Sequence, residues 1–521
     1  MRRKSISTAF VLSQKISLPS QNLPFTKRTM GSISESYPKT TQPSDPAGPT
    51  GKLANWIHSV SLDDVPQDIK TRAKHLLLDG LACLLVGAHL PGSEVAGRAI
   101  LDIEAPGNCT VFGWNGKKLS PLQAALLNST FIQGFELDDW HSEAPLHSNS
   151  LVIPAILSAV EHDRSREHSS GKQITGSDLL LATIVGYEVG PRVGLGMYGV
   201  HMLTMGWHSG AVFGPSAAAA SSAKLLALVP DQIEDALGIA CTQAGGLMSA
   251  QYESDVKRMQ HGFATRNGLL GTLLARSGYS GIKRVYEQEY GGFLSCFTRG
   301  NGMKPTYRPE EIAKELGASW KTEGIRVKAY AAMAGTHCTV DCIRELQEKY
   351  PLQLSDLGRI KHITIEMGEA AYHHGGWEAT RPLTATGAQM NNAYVGATQL
   401  VDRAVLPPQF RQDKLDRDEV WDLVAKTTCV LTTEFKQRFA QRVTIDLVND
   451  EALVADLRGP RGVVPEFSNE DIVTKWRSLM QDVIDDARRE KIEDLVLNLE
   501  VCEDVGLLVE LLTPTTKNTL A

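Results

Sequence analysis

Apolar residues at helical spacing run through the first three fifths of the chain. Ile69, Ala73, Leu76, Leu77 and Leu81 follow one another at steps of four, three, one and four, which keeps them on one face of a helix that Pro66 can open. The same period returns in residues 121–134, where Pro121 leads through Ala124, Leu127 and Phe131. It recurs in 150–161, with Val152, Ala155, Ile156, Ala159 and Val160 inward, and in 178–188, 212–228, 232–244 and 263–277. Alanines 217–220 permit close helix packing. Only 109–114 interrupts this part, a short extended piece before the tight-turn pair Asn115-Gly116. Near Ala318 the period changes. Residues 320–330 and 360–367 read as strands, 339–349 as a helix between them, and 442–447 with 452–457 as a hairpin around Asn449-Asp450. Residues 468–500 return to charged amphipathic helix.

The pattern therefore predicts a mostly α protein with an α+β lid. Its expected parts are an N-terminal extension and linker (1–51), a large helical domain (52–315), an α+β lid domain (316–466) and C-terminal helices returning to the helical domain (467–521). No repeat of 20 to 50 residues is evident, which disfavours a solenoid.

Composition narrows the function more than the fold. With 521 residues, 42% hydrophobic and 22% charged, the chain can bury a large core. Its apolar runs fall short of the roughly 20 residues that a spanning helix needs, so no membrane segment is expected. A net charge of −7 and a pI near 6.1 argue against a nucleic-acid partner but leave room for a locally basic pocket and a small anionic ligand. The eight cysteines are scattered, and only Cys338 and Cys342 lie close, so all are read as reduced thiols of an intracellular enzyme. The first 34 residues hold no acid, while Arg2, Arg3, Lys4, Lys15, Lys27 and Arg28 lie among Ser, Thr and Gln. That is the composition of a mitochondrial transit peptide; a cytoplasmic protein with a plain extension is the alternative.

Four clusters carry candidate chemistry. Residues 134–150, GFELDDWHSEAPLHSNS, crowd Glu136, Asp138, Asp139, His141, Glu143 and His147 between two helical segments, where they must shift one another's pKa values or bind something. His141 and His147 have no recognised ligand spacing, so no metal site is expected. The second cluster, GWHSGAVFG, puts His208 just before a helix start, where the positive helix end lowers an imidazole pKa. The third, VKRMQHGFATRNG, brings Lys257, Arg258, His261 and Arg266 together; in a helix Lys257 and His261 share a face suited to a carboxylate. The fourth, RVKAYAAMAGTHCTVD, sets Arg326, Lys328, Tyr330 and His337 at a strand-to-helix passage. Neither a dinucleotide fingerprint, a P-loop nor a nucleophile elbow is present.

Six blocks in order, ELDDWHSEAPLHS, GWHSGAVFG, LGIACTQAGGLMSAQY, VKRMQHGFATRNGLL, YGGFL and IEDLVLNLE, resemble the MmgE/PrpD family, most closely its fungal cis-aconitate decarboxylases. The resemblance runs from about residue 53 to the end. It implies a helical domain with a smaller α+β lid, a homodimer, a small tricarboxylate substrate and no cofactor for decarboxylation. By the same resemblance His147, His208, Lys257 and His337 are catalytic, and Asp138, Asp139, His261 and Tyr394 lie near the pocket. Three positions depart from the family: Glu136 stands where Asp is common, Trp140 where Thr is usual, and small residues where the decarboxylases have cysteines between Tyr330 and His337. That last change leaves room for a bulkier, alkyl-substituted tricarboxylate.

Decarboxylation of such a substrate leaves an allylic carbanion that needs carboxylate anchors and one proton. Lys257, supported by Arg258 or Arg326, fits the first task, and His147 or His208 the second, with His337 as a further clamp. His141, Lys328 and Tyr330 complete the expected substrate shell. A hydro-lyase of the 2-methylcitrate dehydratase type would use the same clamps, and a non-catalytic binding homologue is the third reading.

Overall fold

The computed structural model of the chain describes residues 40–166, 173–350 and 352–520. The expected transit peptide lies outside them. Within the described part, residues 44–51 are not a free linker. Ser44 donates from its backbone N–H and its hydroxyl to the Glu234 carboxylate (2.8 and 2.7 Å), and a helix already begins at Pro49, Pro49–Ser59. Two hydrogen bonds to a buried acid hold this segment on the helical domain.

Seven helices frame the first domain: α1 (Gln67–Gly87), α2 (Pro121–Ile132), α3 (Ser148–Arg164), α4 (Gly176–Gly196), α5 (Ser209–Leu225), α6 (Pro230–Cys241) and α7 (Val256–Arg276). The apolar periodicity predicts each, and the differences lie at the ends. α4 runs well past the expected 188, because Gly186, Gly190 and Gly194 leave room for Val152, Leu146 and Phe213 rather than breaking the helix. α7 starts at Val256, so Lys257 and Arg258 fall in its first turn. α5 and α7 share the largest helix interface, and a Cβ at Gly268 would sit 2.5 Å from the Ala218 Cβ. Residues 109–114 form only a two-residue strand, Cys109–Thr110, paired with Lys118–Leu119 across the predicted turn, where Asn115 and Gly116 have φ of 49° and 74°.

The second part holds a correction. The alternation over 320–330 does not make a long strand: Lys321–Gly324 is a 3-10 turn, and only β2 (Ile325–Arg326) is extended. It pairs antiparallel with β1 (Trp140–His141), in the acidic stretch, rather than joining the main sheet. That sheet contains β3 (Ile360–Met367), β4 (Thr427–Leu431), β5 (Gln441–Leu447) and β6 (Ala452–Leu457) in the order β4-β3-β5-β6. β3 and β4 are parallel and the other pairs antiparallel, with Ile363 opposite Ile445 and Val443 opposite Ala455. β5 alternates as predicted, with Val443, Ile445 and Leu447 buried. α8 (His337–Lys349) and α10 (Asn392–Asp402) back the sheet, and the short α9 (Glu369–Gly375) follows β3.

The last segment splits into α11 (Asn469–Met480) and α12 (Asp486–Leu497), both packed on α1. Lys475 of α11 is ion-paired with the buried Asp79 of α1 at 2.7 Å. The eight cysteines are free thiols. Among the described residues no single helix is long and apolar enough to cross a membrane, and no cluster of three metal-binding side chains occurs.

Candidate active site

Three helices of the first domain begin at one place. His147 is the residue before α3, His208 the residue before α5, and Lys257 the second residue of α7. Their positive ends favour an anion there, and they make the place costly for cations. Lys257 and Arg258 sit in it nonetheless, because Glu136 compensates them. The Glu136 carboxylate contacts both, and Lys328 of the strand-to-helix passage reaches its Oε2 at 2.7 Å. Glu136 holds a left-handed backbone (φ 54°), an uncommon state for a side chain of this type, and stands among three cations.

Asp138 and Asp139 divide the work of the acid pair. Asp138 accepts from His147 Nδ1 (3.0 Å) and lies 3.5 Å from Lys328 Nζ. Burial alone would raise its pKa, yet His147 and Lys328 hold it down to about 2, so it is a carboxylate at working pH. Asp139 accepts from the backbone N–H groups of Ser148 (2.7 Å) and Asn149 (3.0 Å), capping α3 and fixing His147 at its end. Burial and the neighbouring Asp138 push the Asp139 carboxyl well above the ordinary range.

His147 and His208 are kept apart by a third imidazole. His261 lies 5.0 Å from His147 and 5.1 Å from His208 between ring centres, with its Nδ1 2.7 Å from Ser150 Oγ. The room for it comes from Gly210, where a Cβ would fall 2.0 Å from His261 Nε2. Burial lowers all three imidazoles: His208 to about 3, with His147 and Arg258 adding to the effect, and His261 well below its usual value. His147 is lowered too, but Asp138 works against its burial and favours its protonated form.

These groups open on a cavity of about 110 Å³. Glu136, His147, His208, Ser209, Gln251, Lys257 and Lys328 form its polar side. The more apolar part of the lining holds Trp140, Met333, Ala334, Gly335, Ala370, Ala371, Met390 and Phe439, with Arg438 and His374 among them. Burial, with Arg258 and Lys328 nearby, pushes the Lys257 ammonium well below its usual pKa, while the Glu136 carboxylate favours its charged form.

Of the expected residues, His147, His208, Lys257 and Lys328 line this cavity, and the others stand behind it. Arg258 is taken up by Glu136 and by the Gln389 side-chain oxygen (2.7 Å). Asp138, Asp139 and His261 position imidazoles rather than face the opening. His337 is not the expected clamp. Its Nε2 lies 3.0 Å from the Ala332 carbonyl, and burial lowers it to about 3, so it carries no charge to hold a carboxylate. Its ring props up Trp140 from behind, 6.3 Å between centres.

Four expectations of substrate contact are corrected outright. His141 Nδ1 accepts from the Ala144 N–H at 3.0 Å, and its ring fills the space beside Gly324. Arg326 is paired with Glu466 and donates to the Glu323 carbonyl, so its charge is taken up outside the cavity lining. The Tyr330 hydroxyl is held between Asp341 and Arg344, and the Tyr394 hydroxyl donates to the Leu415 carbonyl (3.3 Å). Sequence reasoning missed Trp140 as a wall, and with it Gln251, His374 and Arg438. Trp140, inside the acidic block, and Gln251, inside LGIACTQAGGLMSAQY, carried a signal that could have found them; His374 and Arg438 did not.

The MmgE/PrpD N-terminal domain model matches residues 51–306 and the MmgE/PrpD C-terminal domain model residues 330–500. The chain belongs to the MmgE/PrpD family. It is 49% identical over 470 residues to the cis-aconitate decarboxylase-like protein oryM of Aspergillus oryzae, covering 89% of this chain and 97% of that protein. To the cis-aconitate decarboxylase of Aspergillus terreus it is 47% identical over 483 residues, 91% and 98% of the two chains. The human cis-aconitate decarboxylase is 24% identical over 479 residues, 89% and 94% of the two chains. With about nine tenths of this MmgE/PrpD member covered each time, every one of these likenesses takes in both the helical domain and the lid.

Proposed function

We propose that the chain is a carboxy-lyase that removes carbon dioxide from cis-aconitate or an alkyl-substituted homologue, giving itaconate or an itaconate-like product. The observation that carries this reading is one cavity in which Lys257 and Lys328 stand beside His147 and His208. Relatives at 47–49% identity named for cis-aconitate decarboxylation support the reaction class.

The allylic C–CO2 bond breaks, and its electron pair spreads over the neighbouring double bond and carboxylate. Lys257 and Lys328, both buried, hold carboxylates by charge-assisted hydrogen bonds and stabilise that charge. A proton then goes to the remote carbon. His147 is the donor. His208 is lowered to about 3 and is neutral at working pH, whereas His147 has Asp138 on Nδ1 to support an imidazolium whose Nε2–H can be delivered. His208 and Ser209 complete the polar wall around the substrate. The apolar side, with Ala334 and Gly335 where bulk would otherwise stand, takes the alkyl group. A homodimer and a mitochondrial address in residues 1–34 belong to the same proposal.

Purified protein is incubated with cis-aconitate and an alkyl-substituted analogue, and carbon dioxide and product mass are followed. Carbon dioxide release is expected, with kcat falling about 10²- to 10⁴-fold in His147→Ala. Loss of water from 2-methylcitrate without carbon dioxide from either substrate would replace this reading with the hydro-lyase.

A further inference from the structure

The two sides of the cavity differ in how their polar groups are satisfied. On the helical side Lys257, Arg258 and Lys328 share Glu136 and Asp138, so three cations are already offset by two carboxylates. A tricarboxylate trianion brings more charge than the single excess cation there can match. On the lid side three residues of the same lining each carry a polar N–H atom with no partner. The Trp140 indole Nε1, the His374 Nε2 and the Arg438 Nε are each buried and make no hydrogen bond to the described residues.

Arg438 is the charged member. It lies between β4 and β5, outside any helix or strand, and burial lowers its pKa with no carboxylate among the described residues paired to it. One end of its guanidinium is fixed, Nη1 donating to the Ser142 carbonyl at 2.8 Å, and its plane lies near the Phe439 ring, 5.0 Å from the ring centre. Phe439 in turn meets Trp140 edge-on at 6.0 Å. The three donors are thus held by the acidic stretch and the lid together. Burial lowers Arg438 to about 10, which leaves it charged at neutral pH, and lowers His374 to about 4, which leaves a neutral ring able to donate from one nitrogen. A largely buried guanidinium without a carboxylate partner, beside unpaired N–H groups, is costly to keep without an anion to take its place among them.

We propose that Arg438, with Trp140 Nε1 and His374 Nε2, forms a second carboxylate subsite on the lid side, which takes the carboxylate left over by the Lys257–Lys328 pole and makes the enzyme select tricarboxylates over dicarboxylates. The proposal rests on the reading that this cavity takes a tricarboxylate. Trp140 supplies one hydrogen bond and Arg438 supplies charge and direction, because its fork is pre-set by Ser142.

Calorimetric binding of tricarballylate, an unreactive tricarboxylate, and of glutarate, its dicarboxylate counterpart, separates this idea from the chemistry. Wild-type protein is expected to bind tricarballylate more tightly. Arg438→Gln loses about 30-fold or more of that affinity and changes glutarate binding by less than about threefold. In turnover KM for cis-aconitate rises by a similar factor while kcat falls by less. Trp140→Phe keeps the wall and removes only the N–H; it is expected to lose about fivefold for tricarballylate alone, and it decides the matter should Arg438→Gln not fold. Equal losses for both ligands, no loss for tricarballylate, or wild-type protein that does not prefer the tricarboxylate would each overturn the subsite. Tricarballylate binding with no release of carbon dioxide from cis-aconitate would instead overturn the decarboxylase reading and leave the subsite standing.

Discussion

The helical side and the lid side of the cavity solve opposite problems. Around Glu136 all but one of the three cationic charges are offset by a carboxylate, and the groups are buried, close and fixed by three helix starts. Across the cavity, Arg438, His374 and Trp140 hold donors in reserve among Met333, Ala334, Met390 and Phe439. A compensated cluster has a set geometry before substrate arrives and owes its electrostatics to the fold. An uncompensated one gains most when substrate binds. The first suits the reacting end of a substrate, where position and charge must be ready, and the second suits recognition.

Breaking the compensated side gives the largest effect. Glu136→Gln keeps the shape but leaves Lys257, Arg258 and Lys328 buried together with only Asp138 to offset them. Removing one partner from a buried ion cluster costs about 3–5 kcal/mol, because the remaining charges cannot regain water. Denaturant unfolding should show that loss, together with activity well below the wild-type level. A variant of near wild-type stability would mean that the cations are relieved in some other way and that Glu136 is not the centre of the cluster.

This contrast explains what could be read from the chain. The helices of the first domain were legible because a buried helix keeps one apolar period for several turns, and β3, β5 and β6 because alternation and a turn pair coincide. β4 was not, since its residues 427–431 alternate little and are placed by pairing parallel to β3. The catalytic side was legible as well, because charge density in a block framed by helices is visible in sequence. His141 and Tyr330 looked alike in kind to His147 and Lys328, and only the β1–β2 pairing and the Asp341 contact remove them from the opening. Arg438 had no such signal. A lone Arg-Phe pair in an aperiodic segment reads as surface until the lid folds over Ser142.

The apolar portion of the lid side should respond by size alone. Ala334→Leu adds three carbons to a wall position. It is expected to lower kcat/KM for an alkyl-substituted substrate by about 10- to 100-fold, the effect of about 1–3 kcal/mol per displaced methylene contact, and to change cis-aconitate by about threefold or less. Competition kinetics with the two substrates in one vessel give the ratio directly. Equal losses on both would show that Ala334 contacts the part common to them, and the alkyl pocket would have to be sought elsewhere in the wall.

The finest distinction lies within the compensated side, between the two imidazoles. If His147 is the proton donor, kcat must fall as pH rises through its pKa, since only the protonated form delivers. Burial places that pKa below the usual 6.5, and Asp138 opposes the shift. Asp138→Asn removes the opposing charge while its oxygen can still accept from Nδ1. The His147 pKa therefore drops further, and the alkaline limb of the kcat profile moves to lower pH with the shape of the curve retained. His208 does not contact Asp138 and is already near 3, so a profile governed by His208 would not move. A limb that stays in place, or shifts to higher pH, would take proton delivery away from His147, and Asp138 would then be no more than a structural partner of the buried lysine Lys328.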